Sequence, residues 1–147
     1  MKIQLSAIFF LGFIAGSAFG ALKTESVTYF SGADEMVGYV AYDDSIKTPR
    51  PGILIVHDWM GLSQFTKDKA DQLAKEGYVA FAADVYGKGI RPKNMEEASK
   101  LASKYKGDRN LLRAHMNAAF EKLSSMSEAN AKKNSSYGIL FWWDFRT

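Results

Sequence analysis

Gly52-Ile53-Leu54-Ile55-Val56-His57-Asp58-Trp59-Met60-Gly61-Leu62 is the stretch on which the fold turns. Its first five residues are an unbroken aliphatic run, not an alternation of apolar and polar positions. A strand that is buried on both faces reads this way, and such strands lie at the centre of parallel sheets covered by helices. The run ends abruptly in His57-Asp58-Trp59-Met60-Gly61-Leu62-Ser63, a loop rich in groups that bond or stack. Loops at the carboxyl ends of parallel strands are where open α/β sheets bind ligands.

The flanking sequence repeats the pattern. Phe65 to Lys75 places Phe65, Lys69, Leu73, Ala70 and Ala74 near a 3.6-residue period, which predicts a helix closed by Gly77. Tyr78 to Ala83 is a second buried strand, ended by Asp84, and Tyr86 to Pro92 is a loop. Asn94 is an expected N-cap for a helix running to about Lys104, with Glu96 and Glu97 in its positive first turn. Asp108 is expected to cap a further helix from Arg109 to about Met126, with Leu112, Met116, Ala119, Phe120 and Leu123 facing the core. Upstream, Ser26–Phe30 and Met36–Tyr42 are strands joined by Ser31-Gly32-Ala33-Asp34, which predicts an antiparallel hairpin. The expected fold class is therefore α/β: a hairpin, then βαβα with a parallel sheet.

Composition narrows the function classes. The 147 residues are 47% hydrophobic and 24% charged, which argues for a packed domain over general disorder. A net charge of +3 with scattered basic residues, of which Lys132-Lys133 is too short a run, argues against nucleic-acid binding. No cysteine occurs, which excludes disulfides, thiolate metal sites, a lipid-anchored cysteine and a cysteine nucleophile within these residues. His57 and His115 stand without a cluster of other ligands, so no metal site and no cofactor are expected.

The first 20 residues have the layout of a secretory signal peptide. Lys2 supplies the charge, Ala7–Ala15 a short apolar run, and Ala18-Phe19-Gly20 a small-x-small cleavage site before Ala21. The run is shorter than a membrane span of about 20 residues, so the expected product is exported, periplasmic or secreted, with no membrane attachment after cleavage.

Three motifs in order resemble the dienelactone hydrolase family. They are the Pro51–Leu62 stretch with its His-acidic-aromatic-x-Gly-Leu loop, Gly77–Gly87 with its Asp-x-Tyr-Gly ending, and Asp108-Arg109 followed by Leu111-Leu112-Arg113. The resemblance covers roughly Glu25 to Met126. It implies the N-terminal portion of an α/β-hydrolase fold, spanning 21–133. It also implies hydrolysis of a small-molecule ester or lactone by a Cys-His-Asp triad, whose cysteine sits in a Gly-x-Cys-x-Gly elbow beyond Met126. By position, Asp58 is implied as a carboxylate that tunes the thiol, and the Asp58–Trp59 loop as an oxyanion-hole contributor. Trp59 and Tyr86 follow strand ends at the ligand-binding edge, where substrate contact and loop packing are equally open readings. Lys88 stands where some members carry an arginine for a substrate carboxylate. His57 is expected to be structural and His115 to be a partly exposed helical residue.

Residues 134–147 do not continue that pattern. Tryptophan has one codon, so Phe141-Trp142-Trp143-Asp144 is encoded TTY-TGG-TGG-GAY. Read one base later, these bases give Phe or Ser, then Gly-Gly, then Thr or Ile. Extended upstream, the same frame permits Gly-Tyr-Cys-Phe-Gly-Gly-Thr, the family's elbow. The expectation is a frameshift near Lys133, in the A-rich codons of Lys132-Lys133-Asn134, and a chain inactive as it stands. The alternative is a non-catalytic exported α/β binding or interaction module.

Overall fold

The computed structural model describes residues 21–130, 132 and 135–138. Strands β1 (Leu22–Ser31) and β2 (Asp34–Asp43) form the expected hairpin, paired antiparallel from Leu22↔Asp43 to Ser31↔Asp34. Strand β3 (Gly52–Val56), helix α1 (Gln64–Lys75) and strand β4 (Val79–Ala83) follow, and β3 and β4 are parallel with Gly52 opposite Val79. Helices α2 (Met95–Gly107) and α3 (Arg109–Ser124) come next, then strand β5 (Ser135–Gly138). The sheet runs β1-β2-β4-β3-β5, with β2 antiparallel to β4 and β5 parallel to β3. The hairpin thus continues the sheet on one side, and β5 lies on the other, inside the segment expected to be an aberrant tail.

All ten residues of β3 and β4 are buried, as their unbroken apolar composition requires. On one face Ile53, Ile55, Ala80 and Ala82 pack with Ala70 and Ala74 of α1. Alanine on both sides lets helix and sheet approach closely. On the other face Leu54, Val79, Phe81 and Ala83 pack with Ala119 and Leu123 of α3, together with Tyr29, Met36, Val40 and Tyr42 of the hairpin. Gly38 belongs to this packing for a steric reason: a Cβ there would stand 2.5 Å from Phe81 Cζ and 3.0 Å from the Ala82 carbonyl oxygen.

The helix ends obey local chemistry. At the end of α1, Gly77 adopts φ +94°, a value that disfavours side chains. Its N–H donates to the Ala74 carbonyl and the Tyr78 N–H to that of Leu73, the paired bonds of a Schellman stop. Asn94 accepts from the Glu97 N–H at 2.9 Å, and Asp108 from the Leu111 N–H at 2.9 Å. Each cap is worth about 1 kcal/mol.

Phe65 is 49% exposed, because the inward stripe of α1 is Thr66, Ala70 and Ala74. One orientation expectation is corrected. His115 is only 2% exposed, because the inward stripe of α3 runs Leu112, His115, Ala119, Leu123, with Met116 and Phe120 half-buried at its flanks. A polar residue completes an apolar stripe there, and its two ring nitrogens both find oxygens. Among the described residues no helix is long and apolar enough to cross a membrane.

Candidate functional site

The loops leaving β3 and β4 meet at the carboxyl edge of the parallel strands. Between them is a shallow cleft lined by Val56, His57, Asp58, Val85, Tyr86 and Leu112. Its volume of about 10 Å³ has room for roughly one water molecule. The described residues thus form a notch rather than an enclosed pocket.

The β3 loop is built by its own polar groups. The Asp58 carboxylate accepts the Met60 N–H at 2.8 Å, and the Asp58 carbonyl accepts the Gly61 N–H at 3.1 Å. This is the loop-forming use of an aspartate side chain. It occupies Oδ1, while Oδ2 has no hydrogen-bond partner among the described residues. The Trp59 N–H likewise has no acceptor among them, while the Trp59 carbonyl accepts from the Tyr86 hydroxyl at 3.0 Å. Asp58 and Trp59 are half-buried, and Tyr86 is buried.

His57 is buried and joins the two loops. Its Nδ1 lies 2.6 Å from the Asp58 carbonyl, and its Nε2 lies 3.0 Å from the Val85 N–H. Since a backbone N–H can only donate, Nε2 accepts. Nδ1 then carries the proton, which defines a neutral ring. Burial agrees with this, holding the imidazole below its usual titration range. With Nε2 occupied, His57 is a structural link, as expected from the sequence. The Tyr86 ring meets His57 edge-on at 4.6 Å and stacks on Tyr105 at 5.2 Å, and burial raises the Tyr86 phenol above its ordinary range.

The β4 loop hangs on Asp84, whose side chain is fully buried. Its Oδ1 accepts the Tyr86 and Gly87 N–H groups, each at 3.2 Å, and Arg91 bridges both oxygens at 3.3–3.4 Å. The Tyr29 hydroxyl donates to the Asp84 carbonyl at 2.7 Å and accepts the Asp84 N–H at 3.0 Å. This anchor was not expected. Asp84 was legible as the end of a buried strand and as the first residue of the Asp-x-Tyr-Gly ending, but not as a partner of Arg91 seven residues on.

Lys88 stands apart from the cleft lining. Its ammonium pairs with Glu35 at 2.8 Å, and its N–H donates to the Glu35 carbonyl at 2.9 Å, so it ties the β4 loop to the hairpin turn. Among the described residues no cluster of His, Cys, Asp or Glu has the arrangement of a metal site.

A mixed sheet covered on both faces, with its notch at the carboxyl ends of β3 and β4, defines an α/β-hydrolase-type domain. More narrowly, the chain belongs to the dienelactone hydrolase family, whose model matches residues 36–139. Among curated relatives, an Aquifex aeolicus protein whose name proposes a carboxymethylenebutenolidase is 42% identical over 67 residues, covering 44% of this chain and 27% of its own length. Among solved structures, one titled m3DLH superposes with a TM-score of 0.79 at 30% identity, over 83% of this chain and 51% of its own. A dienelactone hydrolase-like promiscuous phosphotriesterase from metagenomic libraries superposes with a TM-score of 0.78, also at 30% identity and over the same shares. The chain therefore spans about half the length of these structures and about a quarter of the curated relative.

Proposed function

We propose that the notch is one wall of an ester- or lactone-hydrolase site whose nucleophile lies outside the residues encoded in this frame. The observation that carries the reading is the register of β5. Gly138 stands opposite Val56, the last residue of β3 before the His57-Asp58-Trp59 loop. A strand in this position ends at the same sheet edge as the notch. In the frame one base on, the codon two places after Gly138 can encode cysteine, followed by Phe or Ser and then the Gly-Gly that the double tryptophan dictates. A strand-to-helix turn there is the geometry of a nucleophile elbow.

In such a site the thiolate adds to the substrate carbonyl carbon and the carbonyl oxygen takes the negative charge. The Trp59 N–H, uncommitted among the described residues, supports a role as one donor to that oxygen. Collapse of the adduct expels the alcohol, and water then hydrolyses the thioester. Asp58 Oδ2 stands available to tune the thiol, although Oδ1 is committed to Met60. The Tyr86 and Trp59 surfaces would meet the substrate. Lys88 would serve a substrate carboxylate only by giving up Glu35. The signal-peptide layout supports an exported setting. No cofactor is part of this reading.

The lack of cysteine also supports a second reading, a non-catalytic exported binding module. The gene decides between them. The first reading expects the bases after the Lys132 codon, read one position later, to spell Gly-Tyr-Cys-Phe-Gly-Gly and to continue open. A stop, or any codon but cysteine at that place, defeats it.

A further inference from the structure

We infer that His57 and His115 are a pair of positioning residues that grip one peptide, Val85, from opposite sides and so set where the β4 wall of the notch stands. The inference rests on the reading of that notch as the substrate site. His57 Nε2 takes the Val85 N–H at 3.0 Å. On the other side, His115 Nδ1 lies 2.8 Å from the Val85 carbonyl, which can only accept, so the ring donates. The two rings come from different elements, the β3 loop and helix α3. Both are at least nine-tenths buried. The next residue is held the same way: the Tyr105 hydroxyl of α2 donates to the Tyr86 carbonyl at 3.1 Å, and the Tyr86 hydroxyl reaches Trp59. The rings of His57, Tyr86, Tyr105 and His115 form a continuous row with centroid spacings of 4.6, 5.2 and 5.6 Å.

The row has an outer end. His115 Nε2 lies 3.2 Å from Asp34 Oδ2, and Asp34 is the first residue of β2, at the hairpin turn. The wall that carries Tyr86 is therefore fixed from β3, α2, α3 and the hairpin at once. Satisfying a loop's backbone groups with rigid buried rings holds a site residue more tightly than water would. Imidazole suits the His57 position because one ring can accept at one nitrogen and donate at the other, whereas at His115 the Val85 carbonyl and Asp34 Oδ2 are both acceptors. The charged groups near His57 are Asp58 on its own loop and Asp84 with Arg91 on the β4 loop. His115 faces Asp34 and Tyr105.

The test needs no turnover, so it stays distinguishable from the hydrolase reading. In the 147-residue chain labelled with imidazole nitrogen-15, His57 should appear as a single Nδ1–H tautomer with an unprotonated Nε2 from pH 6 to pH 8. Tautomer averaging, or an Nε2–H ring, overturns the assignment. Amide exchange then tests the grip. His57→Asn removes the acceptor for Val85, whereas His57→Gln can return an oxygen near the Nε2 position. His115→Phe keeps a ring against Tyr105 and removes the donor to the Val85 carbonyl. Exchange at Val85–Gly87 should accelerate on the order of tenfold in His57→Asn and His115→Phe and recover in His57→Gln, with Phe81 unchanged. Equal acceleration at Phe81, or no recovery with glutamine, overturns the proposal.

Discussion

Replacing Asp84 tests the electrostatic anchor of the β4 loop. Asp84→Asn keeps an oxygen for the Tyr86 and Gly87 N–H groups but puts an amide NH₂ where Oδ2 faced Arg91. The Val37 N–H contact at 3.5 Å is at the limit of hydrogen bonding and adds little. The loss is then mainly the charge-assisted bonds to Arg91, about 1.5–3 kcal/mol for such contacts. Arg91 is 35% exposed and can turn to water, so the lower half of that range applies, about 2 kcal/mol. Asp84→Ala also strands two buried N–H groups, which brings the cost to about 4 kcal/mol. Arg91→Met leaves a fully buried carboxylate uncompensated and should cost about 3 kcal/mol. The double variant Asp84→Asn/Arg91→Met should be milder than the two single losses together by about 1–2 kcal/mol. Urea unfolding followed by tryptophan fluorescence and far-ultraviolet circular dichroism, at constant m, measures these differences. Losses under about 1 kcal/mol for both Asp84 variants, or equal losses for Asn and Ala, would refute the anchor.

Gly38→Ala drives a methyl into Phe81 and the Ala82 carbonyl and should cost about 2 kcal/mol, whereas Gly107→Ala at the open end of α2 should be neutral or stabilising by up to about 1 kcal/mol; thermal melts separate the two. Asn94→Ala and Asp108→Ala should each lower stability by about 1 kcal/mol, read in the same melts, and a change below about 0.3 kcal/mol would deny the caps their role. His57 titrates lower when folded than its ordinary value of 6.5 because burial disfavours the charged ring. The unfolded chain therefore binds the proton more readily, so this residue's contribution is intact above pH 6.5 and is lost as pH falls through the folded value. Denaturant midpoints between pH 5 and pH 8 should fall on the acid side, and less steeply in His57→Gln.

Much of the fold was legible because local rules and packing agree along this chain. The unbroken Gly52–Val56 run matched its strand residue for residue, since both faces are covered and no alternation was called for. Asn94 and Asp108 marked helix starts because their side chains satisfy backbone N–H groups within three residues. The helical period of α1 included Ala70 and Ala74, which with Thr66 make its close face. His115 misled, since its burial depends on the Val85 carbonyl 30 residues away and on Asp34. The Tyr86–Trp59 link hid for the same cause, since it exists only when the loops after β3 and β4 are brought together, and the Asp84–Arg91 anchor hid because the β4 loop must fold back across seven residues to make it. Local sequence marks which residues a site draws on, but not which of them hold one another.

Hydrolysis of an aryl ester and a small lactone by two purified proteins decides whether the missing elbow completes the site. One is the 147-residue chain and the other is the product of the same gene with the frame restored after Lys132. A site completed by the elbow gives no turnover above buffer from the first, and turnover from the second that disappears when its thiol is alkylated. Hydrolysis by the cysteine-free chain, or a folded frame-restored product that leaves both substrates untouched, would contradict it.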